Sequence, residues 1–563
     1  MSTASLPRQG TIRASAAGSA RAAVAAPRLA LAGIAAVAAL LRLQGLGAQP
    51  LNPYYNAAVR SMGSSWHAFL VGAFDPNASV AIDKPPLDVW LQVATTKLLG
   101  FTPFALHLPE ALASAAATIL LYDLVRRGFG RGAGLAAAAA FAVLPAEVLT
   151  ARSDTMDAAM AALLVLAAWL VVRAAERGRG RELYLAGAVV GLAFETKLFE
   201  ALVAVPALVL LFVLASDATR RARVRQLAVA GATLVAVGLA WPLLFALLPA
   251  GSRPYPLGSA NGSIWNTVFV FNGIGRLQGS STQSAVDRLS RAGPGRLFAG
   301  GPMHFDALVG TSLAAALAFA VVALALGLIR RHRLGRIPFA IVAAMGAWLL
   351  VAGLLLSFMS HVPVRYLEVL TPAIAAVFGI CVALVVQAAA GRINGRLVPV
   401  AGAVVVAAAL AAPASQSLHL VSSHAADGGA LGAMPPGNVT ALSRYLTSHQ
   451  GRAHYEFAAL EAHLAGPLIV KDARPVLILA GTPYHQLVDS RRLAGAVTAG
   501  RVRYVLVSSR PSSHPVHVSR HARTQRGRMA AWVRLHGVDA TRQAGLGGYG
   551  ALYRLTAQAV GAG

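Results

Sequence analysis

For about three quarters of its length the chain alternates long apolar runs with short polar breaks, and then the rhythm changes. Apolar runs occupy about 29–46, 104–125, 131–150, 156–173, 183–196, 198–215, 226–249, 306–329, 338–358, 364–388 and 397–413. A helix needs roughly 20 apolar residues to cross a bilayer, so the pattern predicts a polytopic α-helical membrane protein with about eleven spans. Residues 1–27 are rich in Ala, Ser and Arg and hold no acid. They read as a cytoplasmic tail before an uncleaved first span. The breaks at about 47–103 and 250–305 are long. In the first, Tyr54–Phe69 and Leu87–Leu99 have helical apolar spacing, which predicts amphipathic helices lying on the membrane surface.

Beyond Pro413 the apolar runs shorten. Pro475–Leu479 and Val502–Val507 suit buried strands, and Leu487–Ala499 between them reads as a helix. The chain therefore divides into a tail at 1–27, a membrane domain at 28–413 and a small α/β domain at 414–563.

Charge orients this picture. There are 49 Lys and Arg against 22 Asp and Glu, a formal charge of +27. No nucleic-acid stripe results, because the cations stand in clusters between apolar runs, such as Arg220-Arg221-Ala222-Arg223 and Arg330-Arg331-His332-Arg333. That is the positive-inside arrangement. With the N-terminus inside, the Arg-rich connections near 126–131, 173–182, 217–225, 330–336 and 392–396 are cytoplasmic. The two long loops and the C-terminal domain are then extracytoplasmic. Cys381 is the single cysteine and lies in an apolar run, so there is neither a disulfide framework nor a cysteine metal site. His514, His517, His521 and His536 fall in an Arg-rich stretch without nearby acids and are not read as ligands.

Five polar clusters fall on the outer side of this topology. Asp83-Lys84 precedes the stiff Pro85-Pro86 turn in the first loop. Lys84 is a candidate phosphate ligand, and Asp83 orients it or serves as ligand or base. Arg152-Ser153-Asp154-Thr155-Met156-Asp157 stands at a helix start, where Asp154 and Asp157 share a face as a capping pair or as reactive carboxylates. Glu195-Thr196-Lys197-Leu198-Phe199-Glu200 is a tight outer connection. Asn272-Gly273-Ile274-Gly275-Arg276 is a Gly-rich segment suited to lining a ligand site, and His361, Arg365 and Tyr366 sit at the mouth of a late span. A polyprenyl-phosphate sugar accounts for the set: its tail needs membrane lipid, its phosphate needs Lys or Arg, and the acceptor hydroxyl needs a carboxylate. Asp157, inside its helix, ranks first as that base, Asp154 second, and Asp83, beside Lys84, third.

These motifs, in this order and over nearly the whole chain, resemble the GT-C superfamily of membrane glycosyltransferases. They are most similar to bacterial relatives of the protein O-mannosyltransferases and aminoarabinose–lipid A transferases, in a mannosyltransferase-like branch with an extra C-terminal domain. Tyr54-Tyr55, Gly191–Lys197 and Arg253-Pro254-Tyr255 add to the likeness. The resemblance implies inverting transfer of a mannose- or arabinose-type sugar from a polyprenyl-phosphate donor to an extracytoplasmic hydroxyl, in some members with a divalent metal ion. Donor or acceptor contacts are expected at Tyr54, Tyr55, Lys84, Arg152, Glu195, Lys197 and Arg276 within the resembling motifs, and at His361, Arg365 and Tyr366 from their place at the outer mouth of a late span. One departure stands out: relatives carry an Asp-Glu pair before the tyrosines, with its Asp as base, where this chain has Leu51 and Asn52. A flippase for lipid-linked sugars and a catalytically inert scaffold are the competing readings.

Overall fold

The computed structural model describes residues 27–278, 292–300, 303–329, 335–360, 362–390, 398–427, 432–481, 485–507 and 520–561. Its membrane part opens with α1 (Pro27–Ala48). A surface layer follows, made of α2 (Pro53–Met62), α3 (Trp66–Leu70), strand β1 (Val80–Ala81) and α4 (Leu87–Leu99). The amphipathic stretch starting at Tyr54 is thus two helices, because Gly63 ends α2 and the Ser65 hydroxyl caps α3 by accepting from Ala68 N–H. Trp66, Leu70 and Leu98 are exposed on this layer, as interface-lying helices require.

Then come α5 (Pro103–Val143), α6 (Pro145–Thr150), α7 (Asp157–Arg177), α8 (Gly180–Lys197), α9 (Val205–Ala215), α10 (Arg220–Gly238) and α11 (Ala240–Leu247). Strand β2 (Tyr255–Pro256) pairs in parallel with β1, tying the two long loops together. After it run a π-helical segment (Asn266–Ile274), α12 (Gly275–Gln278), α13 (Thr311–Ile329), α14 (Arg336–Phe358), a 3-10 segment (Val364–Leu370), α15 (Thr371–Ala390) and α16 (Val398–Ser422). Among the described residues seven helical stretches are long and apolar enough to cross a membrane, or eight with the bent α10–α11 pair. The chain is a multi-pass membrane protein.

The difference from about eleven predicted spans lies in two stretches that turn back on themselves and in the predicted span at 306–329, where the apolar helix Asp306–Phe319 is too short to be counted. Gly130 breaks α5 with φ 85° and ψ 175°. A Cβ on Gly134 would lie 2.6 Å from the Tyr122 carbonyl oxygen, twelve residues earlier. A continuous helix would hold them about 18 Å apart, so α5 is a hairpin of two spans. Likewise, Leu183 and Leu208 line one cavity, across a break at Leu198 (φ 55°). Small residues allow the helices to approach closely: a Cβ on Gly187 would meet the Ala230 carbonyl oxygen of α10, and one on Gly379 that of Ala133.

The C-terminal part holds α17 (Pro436–His449), β3 (Phe457–Ala459), α18 (Ala462–Asp472), β4 (Val476–Ile478), the β5/β6 ladder (Ala480–Gly481, His485–Gln486), α19 (Ser490–Thr498), β7 (Tyr504–Val507), α20 (Arg520–His536), β8 (Gly537–Asp539), β9 (Ala551–Leu555) and α21 (Ala557–Gly561). Five strands form one sheet in the order β4-β3-β7-β9-β8, parallel through β4, β3 and β7 and antiparallel beyond. This sheet is not a separate bead. Leu442, Leu446, Phe457 and Leu552 share one apolar core with Tyr54, Tyr55, Val59 and Val89 of the first long loop. A Cβ on Gly466 of α18 would lie 2.8 Å from the Pro53 carbonyl oxygen, so α18 rests directly on the start of α2. The Tyr255 ring also stacks on His485 at 5.1 Å.

Candidate active site

The Pro85-Pro86 turn and the N-terminus of α2 bring the first-loop residues together. Tyr54 Oη donates to Asp83 Oδ1 at 3.1 Å, and Lys84 Nζ donates to Tyr55 Oη at 2.8 Å and to Asp83 Oδ2 at 3.2 Å. From the second loop, Asn272 Nδ2 donates to the Asp83 carbonyl at 2.6 Å, and Arg276 Nη2 lies 4.0 Å from Asp83 Oδ2. The Gly-rich segment is therefore a wound π-helical turn, pinned to the first loop by Asn272. Burial pushes the Asp83 carboxyl up, but Lys84 and Arg276 outweigh it and hold it below the ordinary value. Burial lowers the Lys84 ammonium, with Asp83 opposing and Arg276 adding to the effect. Tyr54 and Tyr55 are raised, first by burial and then by the Asp83 charge, so both remain neutral hydroxyls.

A second cluster forms where α7 begins and α8 ends. Lys197 Nζ pairs with Asp157, bonds Glu200 Oε2 at 3.0 Å and stands 4.3 Å from the Tyr366 ring centre. The second oxygen of Asp157 is buried and has no hydrogen-bond partner. The carboxylates of Asp427 and Asp157 act on the nearby Arg365 guanidinium.

Both clusters open on one cavity of about 540 Å³. Lys84, Lys197, Glu200, Asn272, Arg276 and Tyr366 supply its polar lining, and residues such as Leu198, Phe199, Leu202, Phe269, Leu355 and Val369 its apolar walls.

Three expected site residues are used elsewhere. Asp154 does not cap α7, which begins at Asp157 after Met156. Instead its Oδ2 accepts from Asn52 N–H at 2.7 Å and from Asn56 Nδ2 at 2.6 Å, clamping α2 to the membrane helices. Arg152 Nη1 donates to the carbonyls of Leu41, Arg42 and Gln44 at 3.0, 3.1 and 2.7 Å, closing the C-terminal turn of α1. Glu195 accepts from Trp241 N–H at 3.0 Å, supplying a partner where α10 breaks into α11. Leu51 and Asn52 lead into α2, and Asn52 is its N-cap, its side chain accepting from Tyr54 N–H. His361 lies outside the described residues.

Sequence reasoning passed over Asp427, whose Oδ2 accepts from Ser153 Oγ at 2.9 Å and Thr155 Oγ1 at 2.6 Å. Nothing in its neighbourhood along the chain marks it; only the fold brings it here. Among the described residues no group of three or more His, Cys, Asp or Glu stands close enough to hold a metal ion.

Residues 83–245 match the family described as dolichyl-phosphate-mannose-protein mannosyltransferase. Residues 442–536 match the one described as "Putative mannosyltransferase YkcB-like, C-terminal". Two curated relatives come from Bacillus subtilis (strain 168). "Putative mannosyltransferase YkcB" is 37% identical over 232 residues, 41% of this chain and 32% of that protein. "Putative mannosyltransferase YycA" is 33% identical over 246 residues, 44% of this chain and 36% of that protein. The matched region thus spans about a third of either relative's length. Among solved structures, ArnT from Cupriavidus metallidurans bound to undecaprenyl phosphate superposes with a TM-score of 0.55 at 16% identity, over 94% of this chain and 98% of that one. The Archaeoglobus fulgidus oligosaccharyltransferase gives 0.53 at 13% identity, over 86% and 69%. At these identities the likeness is one of fold.

Proposed function

We propose that this membrane protein is a glycosyltransferase of the GT-C type that transfers a mannose- or arabinose-type sugar from a polyprenyl-phosphate donor to a hydroxyl of an extracytoplasmic acceptor in the cell envelope. The observation that carries this reading is a cavity that combines cations with extensive apolar walls. Its apolar walls suit a polyprenyl chain, and Lys84 and Arg276 in its lining suit the phosphate. The undecaprenyl phosphate bound in the ArnT structure supports the same donor class here.

In the proposed reaction the acceptor oxygen attacks the anomeric carbon from the face opposite the phosphate. The new glycosidic C–O bond forms as the sugar–phosphate C–O bond breaks, which inverts the configuration. The leaving polyprenyl phosphate departs as an anion already held by Lys84 and Arg276, so no proton is needed on that side. The acceptor's proton passes to a carboxylate. Asp83 is a poor base, because its two oxygens face Tyr54, Lys84 and Arg276. Asp154 is engaged by the start of α2. Asp157, with one oxygen unpartnered beside the cavity residue Lys197, is the proposed acceptor of the proton.

Purified full-length protein is tested for transfer of radiolabelled sugar from polyprenyl-phosphate mannose or polyprenyl-phosphate arabinose to cell-envelope fractions. Label in the acceptor fraction supports the reading. Absence of label there, with donor translocated across proteoliposomes instead, assigns a flippase. The proposed extracytoplasmic site is tested by labelling a cysteine placed beside Asp83, in a Cys381→Ser background, with an impermeant thiol reagent on intact cells. Labelling only after lysis refutes that orientation.

A further inference from the structure

A chain of buried polar side chains runs through the membrane domain without lining the cavity. Arg42 of α1 donates to the Ser114 hydroxyl of α5, and that hydroxyl donates to Glu147 of α6. Arg42 Nη2 also lies 3.4 Å from Glu147 Oε1. Beyond Glu147 stands Thr371, with its Oγ1 3.1 Å from Glu147 Oε2 and 2.9 Å from Glu368 Oε1. Thr150 Oγ1 lies 2.7 Å from Glu368 Oε2 and closes the chain. All six residues are at most 1% exposed. One guanidinium therefore stands against two buried carboxyls, and Glu147 is the one it faces. Thr371 has a single hydroxyl hydrogen, yet its oxygen is within bonding distance of both carboxyls and, at 2.9 Å, of the Glu368 carbonyl. It can donate to one of them; contact with a second carboxyl is attractive only if that carboxyl donates in return. With Glu147 held as the anion by Arg42 and Ser114, the donating carboxyl is that of Glu368.

Glu368 sits in the 3-10 segment Val364–Leu370, between Tyr366 and Val369, which both line the cavity. The Tyr366 ring centre is 4.3 Å from Lys197 Nζ, and Trp348 Nε1 tethers the segment a second time by donating to the Val369 carbonyl at 2.8 Å. We propose that Glu368 is a positioning residue acting as an uncharged clasp: as a carboxylic acid it bonds Thr150 and Thr371, and so sets the segment that brings Tyr366 to the cavity wall. A carboxylate here would add a second buried negative charge against one arginine, and an apolar side chain would leave both threonine hydroxyls without it. The clasp follows from hydrogen-bond geometry; only its effect on a bound donor rests on the glycosyltransferase reading.

Melting temperatures of the purified full-length protein test the uncharged state and need no activity. Glu368→Gln keeps a donor and an acceptor for the two threonines, so it is expected to melt at or above the unmodified protein. Glu147→Gln takes the anion from Arg42 and is expected to melt several degrees lower. A loss in Glu368→Gln as large as that in Glu147→Gln means that both acids are charged, and overturns the clasp. Binding of undecaprenyl phosphate then tests the positioning. Glu368→Met, similar in length but unable to bond the threonines, is expected to weaken binding about tenfold, the loss of roughly one well-placed contact. Glu368→Gln is expected to stay within about twofold of the unmodified protein, and a tenfold loss there also overturns the clasp. If Glu368→Met does not fold, Thr150→Val, which removes only the hydroxyl facing Oε2, replaces it with an expected loss of about threefold. Unweakened binding in the folded variant makes Glu368 a purely structural residue and overturns the positioning role. Failure of the unmodified protein to bind undecaprenyl phosphate refutes the donor reading instead, and the melting temperatures then decide the clasp alone.

Discussion

The cavity is flanked by two ion-pair clusters, each built around an Asp–Lys pair and balanced in opposite senses. In the first-loop cluster one carboxylate, Asp83, faces two cations, Lys84 and Arg276, with neutral tyrosines filling the remaining positions. In the helix-end cluster one cation, Lys197, faces two carboxylates, Asp157 and Glu200. The first therefore carries a surplus of positive charge and is suited to an incoming anion. The second carries a surplus of negative charge and is suited to a proton or a cationic neighbour. An Asp–Lys pair has no fixed meaning by itself; the third charge decides which half is free to act.

That contrast breaks most severely at Lys197. Replacing it with Met leaves Asp157 and Glu200 buried without their cation, and loss of one partner of such a group costs about 3–5 kcal/mol. Thermal unfolding in detergent should show it, and an unchanged melting temperature would mean that the cluster contributes nothing to the fold. Asp157→Asn is expected to keep the fold and donor binding while reducing turnover by about 100-fold or more, the range for a general base. Near-normal turnover there, with loss in Asp83→Asn, would exchange the roles of the two clusters.

Lys84→Ala should weaken binding of undecaprenyl phosphate by about 1.5–3 kcal/mol, roughly 10- to 150-fold, since it removes a charge-assisted contact. Unchanged affinity would remove the first cluster from the phosphate site. The pH dependence of that binding sharpens the same point. Burial lowers the Lys84 ammonium, so its charge is lost as pH rises, below the ordinary lysine value of about 10.4. Affinity should accordingly fall on the alkaline side, and a profile that Lys84→Arg leaves unshifted would contradict it.

The smallest expected effect lies outside the cavity, at a carboxyl with acid rather than base for company. Burial and Asp472 push Glu456 up to about 8. In the folded chain it keeps a proton that the unfolded chain releases near pH 4.3, so its contribution to stability falls as pH rises from about 4.3 to about 8. Glu456→Gln should raise the melting temperature at pH 8, on the order of a few degrees, and change it little at pH 4. Equal shifts at both values would assign the effect to packing rather than protonation.

The membrane helices were legible because a bilayer imposes one long, uniform requirement that hydropathy registers directly. The hairpin at Gly130 was legible for the same reason, as two runs divided by Arg126, Arg127 and Arg131. The sheet was only partly so. Val476–Ile478 and Tyr504–Val507 carry β-branched and aromatic residues, but Phe457-Ala458-Ala459 reads equally well as helix, and β8 and β9 pass unnoticed in polar surroundings. Helix α20 lies in an Arg-rich stretch whose apolar face only the sheet reveals. At the site, Lys84, Lys197, Arg276 and Tyr366 were legible as charges and rings that a membrane rarely tolerates without a use. Arg152 and Glu195 look identical by that criterion, yet they serve broken helix ends, a need visible only once the backbone bends are known. Asp427 was illegible because its partners lie more than 270 positions away.

The seat of α18 on α2 sets a schedule for biogenesis. Pro53 leaves the ribosome about 400 residues before Gly466, the glycine that lets α18 settle against it. At about 5–20 residues per second, the tyrosine-bearing loop waits roughly 20–80 s for its cover. Through that interval the faces of Tyr54, Tyr55 and Val59 that later join the shared core have only lipid, water or a chaperone to meet. A ribosome stalled anywhere between the two would leave an inserted but unfinished membrane bundle, with its first long loop exposed to whatever protease patrols that surface.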